Sequence, residues 1–344
     1  MKIAIVKNSN NGFAKRWIDY CNEQRISYKI VNCYDSDIIK QLYDCDAFIW
    51  HHHHGDCRDV LFAKQLLYSI ESSGIKVFPN FNTCWHFDDK VGQKYLLEAN
   101  DIPTVPSYVF YSKREAFNWL NTTKYPIVFK LRRGAGSSNV RLIRDKSDAK
   151  KIVRKAFSKG FSQFDRIENF KESIRIYKER KSALLHIFKG FARLFIGTYF
   201  SKMSSPEKGY VYFQEFIPNN TFDIRIIVIG NKAFGIKRLN RKNDFRASGS
   251  GSIIYSKNEI PEICVKIAFD SNRKLNSQCI AFDFIFNNGI PLIVEISYGF
   301  SAIGYDPCEG YWDESLIWHQ GKFNPYGWMV DNLIRDIMHM SSCK

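Results

Sequence analysis

The stretch Tyr210–Tyr255, YVYFQEFIPNNTFDIRIIVIGNKAFGIKRLNRKNDFRASGSGSIIY, decides the fold. It reads as a buried strand, a polar hinge, two further strands and a basic loop rich in glycine and serine. Two carboxylates follow on strands expected to face each other, Asp283 in AFDFIF and Glu295 in PLIVEIS. Upstream, RRGAGSSNV at 132–140 is a strand-to-strand loop. Its Gly134 and Gly136 let backbone N–H groups turn toward phosphate oxygens, and Ser137 and Ser138 add donors. A lone acidic pair would mean little. Preceded by lysines at element ends and by this loop, it suits a site for a nucleoside triphosphate and a metal. The loop is not a GxxxxGKS motif, so a P-loop is disfavoured.

Working outward, the first eighty residues alternate. KIAIV (2–6), SYKIVNC (27–33), DAFIWHH (46–52) and IKVFPN (75–80) read as strands. Helices fit Gly12–Glu23 and Arg58–Ser72. Such β-α-β order implies a small parallel sheet with helices on both faces. Next come a helix over Asp88–Asn100, a Pro-punctuated strand IPTVPSYVF, a helix over Arg114–Asn121, the strand YPIVFKL, the strand NVRLI and a helix over Ser147–Phe157. From Ile217 strands alternate up to Ser297, and a helix around Trp328–Met338 ends the chain. Residues 161–208 read as an insertion, helical from Phe170 to Tyr199. Its Leu184, Phe188, Phe191 and Phe195 recur at helical spacing, with Lys189, Arg193 and Lys202 alongside. That stripe is either a core face or a basic amphipathic helix making peripheral contact with an anionic membrane.

Individual residues sharpen the picture. Lys130 ends an apolar strand and Lys90 opens a helix, places from which ammonium groups can neutralise phosphate. FQEFIP at 213–218 has the character of an adenine hinge: extended backbone meets the base edge while Phe216 and Ile217 cover its faces beside Glu215. Asp283 and Glu295 lie inside apolar runs, where an unpaired carboxylate is costly and a ligand role is favoured. Mg²⁺ needs only such hard oxygens plus phosphate and water. Four histidines at 51–54 make a poor metal site, because adjacent side chains on an extended chain point to opposite faces. His51 or His52 is expected to line the cleft instead. The aromatic and acidic stretch after Glu295 suits an acceptor-substrate platform, and core packing explains Trp312 and Trp318 equally well.

Composition sets bounds. The 344 residues suffice for two or three packed lobes, with 45% hydrophobic and 25% charged residues. The apolar run at 3–6 is too short to be expected to act as a signal peptide, and with no stretch of roughly 20 apolar residues no membrane span is expected. Nine scattered cysteines without a CxxC pair fit reduced thiols in a cytoplasmic protein. The net charge of +15 attracts acidic partners, and ATP accounts for only a few of those charges. A basic RNA-binding module would set aromatics beside Lys and Arg on exposed strands, whereas here they mostly sit in apolar strands, so no nucleic-acid partner is expected.

In order and wording, residues 85–300 resemble the ATP-grasp superfamily, especially its carboxylate–amine ligases: glutathione synthetase, D-alanine–D-alanine ligase and the ligases that add glutamate to a ribosomal protein. The resemblance implies an α/β protein with an N-terminal Rossmann-like lobe (1–86), a small lid lobe (87–216, with the insertion) and a C-terminal antiparallel-sheet lobe (217–344). It implies ATP and Mg²⁺ as cofactors, small-molecule or glycan or peptide carboxylate and amine substrates, and an amide formed through an acyl phosphate with release of ADP. By the same resemblance Lys90 and Lys130 clamp the phosphates, and Glu215, Phe216 and Ile217 match the hinge. Asp223 in TFDIRI matches the acid that meets the ribose hydroxyls. Asp283 and Glu295 match the magnesium carboxylates. Arg225 lies among the basic residues between hinge and metal strands, Lys237 or Arg238 contacts the terminal phosphate, and Arg246 contacts the acyl phosphate. One departure stands out. Where the family has Asn two residues after the glutamate, this chain has Ser297, whose oxygen or a water would replace that ligand. Another ATP-grasp phosphotransfer reaction, or ATP binding with weak turnover, are the neighbouring alternatives.

Overall fold

A computed structural model describes residues 1–7, 12–134, 139–162, 205–241, 244–247 and 251–342. The expected insertion helix over 170–199, with its apolar stripe, lies outside the described residues, as do Gly136, Ser137 and Ser138. Among the described residues no helix is long and apolar enough to cross a membrane.

The described residues build three sheets. In the first, β1 (Lys2–Val6), β2 (Ser27–Val31), β3 (Ala47–Ile49) and β4 (Lys76–Phe78) are parallel in the order β2-β1-β3-β4. Helices α1 (Gly12–Glu23), α2 (Ile38–Gln41) and α3 (Cys57–Ser72) make the crossovers. The period of two along β1 sends Ile3 and Ile5 into one core and Ala4 and Val6 into another, so both faces are covered.

After α4 (Phe81–Cys84) and α5 (Lys90–Ala99), the second sheet holds β5 (Ser107–Phe110), β6 (Ile127–Lys130), β7 (Val140–Ile143) and β8 (Val211–Glu215), antiparallel in the order β5-β8-β6-β7. Helices α6 (Lys113–Thr122) and α7 (Lys146–Ala156) cover one face through Ala116, Leu120, Ala149 and Val153.

The third sheet is antiparallel and seven-stranded. It contains β9 (Phe222–Ile229), β10 (Lys232–Leu239), β11 (Ile253–Ile254), β12 (Cys279–Asn287), β13 (Ile290–Ser297), β14 (Gly310–Asp313) and β15 (Trp318–Gln320). The sequence reading ran strands up to Ser297, but a 14-residue helix, α8 (Glu262–Leu275), interrupts them. Its VKIAF core is locally strand-like. Yet the buried residues Cys264, Val265, Ala268, Phe269, Asn272 and Leu275 fall at helical spacing, and they pack on Ile224, Ile226 and Val228. After the short α9 (Ala302–Tyr305), the closing helix α10 (Pro325–Ser342) sets Tyr326, Met329, Val330 and Leu333 against Ile3 and Ile5 of the first sheet and Ile227 and Ile229 of the third. The aromatic stretch after Glu295 is mainly packing. Trp312 is buried with Trp318 edge-on at 4.5 Å, and Tyr311 stacks on His319 at 4.8 Å. The eight cysteines within the described residues are free thiols.

Candidate active site

Residues opposite one another in an antiparallel pair share a face, and this rule assembles the site. On β9, Asp223 and Arg225 lie two apart, ahead of Ile227 and Ile229, which are buried in the core. Arg238 of β10 sits opposite Asp223. Asp283 of β12 sits opposite Arg225, and Glu295 of β13 opposite Asp283. One face of the sheet is therefore apolar at one end and carries a row of alternating charge at the other. A bulge after Asp283 leaves Val294 out of the pairing, so the strand bends beside the two acids.

The row is a buried ion network. Arg238 grips Asp223 in a fork, Nε and Nη2 each 2.7 Å from a carboxylate oxygen, and its Nη2 lies 3.0 Å from Asp283. Arg225 Nη1 donates to both oxygens of Asp283 at 3.1 Å, and its Nη2 donates to the Gly299 carbonyl. Burial raises the Asp283 pKa, but Arg225 and Arg238 outweigh it and hold the carboxyl below its ordinary range. Burial pushes Asp223 up to about 6, against the pull of Arg238, whose fork on both carboxylate oxygens favours the ionised form.

Across from this row lies the second sheet, and a cleft separates the two. Val128 and Val140 wall it on one side, Ile285 and Phe245 on the other, with Phe216 and Ile217 at the end of β8. Apolar walls with a few converging polar groups are the ordinary form of a small-molecule site. The Glu215 side chain accepts from the Tyr108 hydroxyl at 2.9 Å, and its backbone N–H donates to the Pro106 carbonyl.

Lys130 and Lys90 converge at the charged end of the cleft, and both are about 95% buried. Among the described residues Lys130 Nζ has a single long contact, 3.5 Å to the Val294 carbonyl. Burial lowers its pKa to about 8, partly offset by Glu295. Lys90 Nζ donates to the Gly134 carbonyl at 2.7 Å and lies 3.2 Å from Glu295. Burial lowers its pKa too, yet Glu295 and Asp88 reverse the shift, so it stays charged.

The structure thus brings together Lys90, Lys130, Gly134, Glu215, Phe216, Ile217, Asp223, Arg246, Asp283 and Glu295 around one cleft. Arg225 and Arg238 stand behind it, engaged by the acids. Arg246 is fork-bonded to Asp244, Nε at 2.9 Å and Nη2 at 2.7 Å.

Two expected residues fall elsewhere. Strand alternation puts Lys237 on the opposite face from Arg238, with Nζ on Glu259 at 2.6 Å and over the Phe222 ring. The Ser297 hydroxyl donates to the Gly299 carbonyl at 3.0 Å and accepts from the Gly299 N–H, so it closes a turn instead of meeting Asp283. Sequence reasoning missed the walls Val128, Val140, Phe245 and Ile285, and it missed Asp88, whose Oδ1 accepts from the Gly134 N–H at 2.8 Å. Apolar periodicity alone could not say which of the many buried residues face a cleft.

The histidine run divides. His51 stacks on Phe13 at 3.9 Å, while His52 and His54 line a small pocket with Phe87, Asp88, Lys64 and Arg133. Burial lowers the pKa of His54 to about 4 and that of His52 well below its ordinary value, so both imidazoles are neutral. No three metal-ligating side chains cluster among the described residues. Asp283 and Glu295, cross-strand neighbours beside the cleft, nevertheless fit Mg²⁺, which takes one or two carboxylates and fills its shell with phosphate and water.

No family model and no curated protein matches the chain. Solved structures do, along nearly the whole length. D-alanine–D-alanine ligase from Bacillus anthracis, complexed with ATP, is 16% identical at a TM-score of 0.56, covering 99% of this chain and 97% of that one. A RimK domain ATP-grasp protein from Sphaerobacter thermophilus is also 16% identical, at 0.56, covering 97% and 100%. A D-cycloserine synthetase is 11% identical at 0.60, covering 97% and 99%. The three sheets and these likenesses agree: the chain has the ATP-grasp fold.

Proposed function

We propose that this protein is a Mg-ATP-dependent carboxylate–amine ligase. The observation that carries the reading is the pair of buried ammonium groups, Lys90 and Lys130, at the charged end of an apolar-walled cleft. Lysine is almost never so buried unless paired, and among the described residues Lys130 Nζ makes one loose hydrogen-bond contact. A triphosphate would supply countercharge beyond that of the nearby Glu295 and Asp283. Its base would lie between Val128, Val140 and Ile285, against the Phe216–Ile217 backbone.

In the reaction, the carboxylate of one substrate attacks the γ-phosphorus and the bond to the β-phosphate oxygen breaks, giving an acyl phosphate and ADP. The amine of the second substrate then attacks the acyl carbon. Phosphate leaves, the amine proton passes to solvent, and an amide forms. This chain contributes positioning and charge neutralisation, with no side-chain nucleophile. Lys90 and Lys130 meet the charge of the phosphates, and Arg246 stands at the cleft wall to meet the acyl phosphate. The row of Arg238, Asp223, Arg225 and Asp283 holds Asp283 ionised and oriented beside Glu295. Mg²⁺ would be held by Glu295, Asp283 and phosphate oxygens, and it would supply further charge neutralisation. The pocket of His52, His54 and Arg133 borders Lys90 through Asp88 and suits the second substrate.

Calorimetry tests the nucleotide half of this reading. Lys130→Ala is expected to weaken Mg-ATP binding by about 1.5–3 kcal/mol, the range for a hydrogen bond to a charged group. Its pKa of about 8 adds a signature. Below pH 8 the ammonium is already present. Above it the free protein must take up a proton to meet the phosphate, so wild-type affinity falls between pH 8 and 10. Lys130→Ala should lack that decline. Unchanged affinity in the variant would remove Lys130 from the site.

A further inference from the structure

Asp88 lies just ahead of α5, at the border between the cleft and the small histidine pocket. Its backbone is left-handed, φ +53°, a region non-glycine residues enter seldom and at a cost. It does not cap the helix: that is done by Asp89, whose Oδ1 accepts from the Gly92 N–H at 2.9 Å. The Asp88 carboxylate instead takes the Gly134 N–H at 2.8 Å, at the entrance to the glycine-serine loop. Two more bonds tie the same segments. The Lys90 N–H donates to the Arg132 carbonyl at 3.0 Å, and Lys90 Nζ donates to the Gly134 carbonyl at 2.7 Å. Gly134 is thus held at both polar groups, at φ +127°, a backbone that L side chains rarely adopt.

This arrangement is asymmetric toward a phosphate. An anionic oxygen is a stronger acceptor than a carbonyl, so bound ATP draws Lys90 away from Gly134. The Asp88 bond to the Gly134 N–H involves neither the Lys90 ammonium nor the Gly134 carbonyl, so that exchange leaves it in place. We propose that Asp88 is a positioning residue that anchors Gly134 to the start of α5 once Lys90 has passed from the Gly134 carbonyl to the nucleotide. The inference rests on the reading of the cleft as an ATP site.

Affinities for Mg-ATP and for adenosine, measured by calorimetry on the full chain, separate this role from general damage. Asp88→Ala is expected to weaken Mg-ATP binding about tenfold or more, the effect of losing one hydrogen bond to a charged group. It should leave adenosine affinity within about twofold, since the base contacts lie at the far end of the cleft. Asp88→Asn keeps an acceptor oxygen for Gly134 and should restore ATP affinity to within about threefold of wild type. Equal losses for ATP and adenosine in Asp88→Ala would overturn the inference by showing general damage. Wild-type ATP affinity in that variant, or no rescue by Asn, would overturn it as well. Failure of wild-type protein to bind either nucleotide is a separate result, which overturns the ATP reading itself.

Discussion

Glu295→Gln is expected to lower Mg-dependent turnover by roughly 10²- to 10³-fold, the cost of removing one preorganised group that stabilises charge in the transition state. Nucleotide affinity should survive in large part, because the apolar walls, the hinge and Lys130 are untouched. The change is nearly isosteric and the Glu295 side chain is 37% exposed, so folding should be little affected. Loss of the carboxylate also frees Lys90, which sits 3.2 Å from it, to remain on Gly134. Steady-state ADP release against Mg²⁺ concentration reads the effect. Wild-type turnover in this variant would remove Glu295 from the chemistry.

Arg238→Met carries the largest expected effect on stability. Arg238 is 8% exposed and neutralises two buried carboxylates, Asp223 by a fork and Asp283 at 3.0 Å. Truncating one partner of a buried pair leaves uncompensated charge, at about 3–5 kcal/mol. Denaturant unfolding should show that loss. Adding Asp223→Asn to the same chain should recover part of it, since Asp223 without Arg238 must either stay charged and unpaired or take up a proton, and Asn does neither. A loss below about 1 kcal/mol would mean that solvent reaches the network and the row is not a closed one.

Much of this was legible in the sequence, for identifiable reasons. The Asp283–Glu295 pairing followed from two apolar strands with one acid each, and the three-sheet architecture from strand and helix periods together with the family resemblance. Lys237 and Arg238 could not be separated along the chain. Strand alternation separates them only once β9 and β12 fix which face of β10 meets the acids, and that choice is tertiary. Ser297 illustrates a second limit: its place after Glu295 suggested a ligand, but its hydroxyl closes a local turn with Gly299. The helix α8 was hidden by IxVKIAF-like wording that suits a strand when read in short windows. Asp88 left no signal at all, because its role depends on Gly134, 46 residues away.

The central claim is that ATP is split to join an acid to an amine. It is tested most directly by measuring ADP release from Mg-ATP over pairs of carboxylic acids and amines, including uronic-acid sugars and amino acids. The account predicts at least one pair for which ADP, phosphate and an amide appear together in equal amounts and only when both partners are present. Release of AMP with pyrophosphate would contradict it, and so would ADP formed with a stable phosphorylated product and no amine.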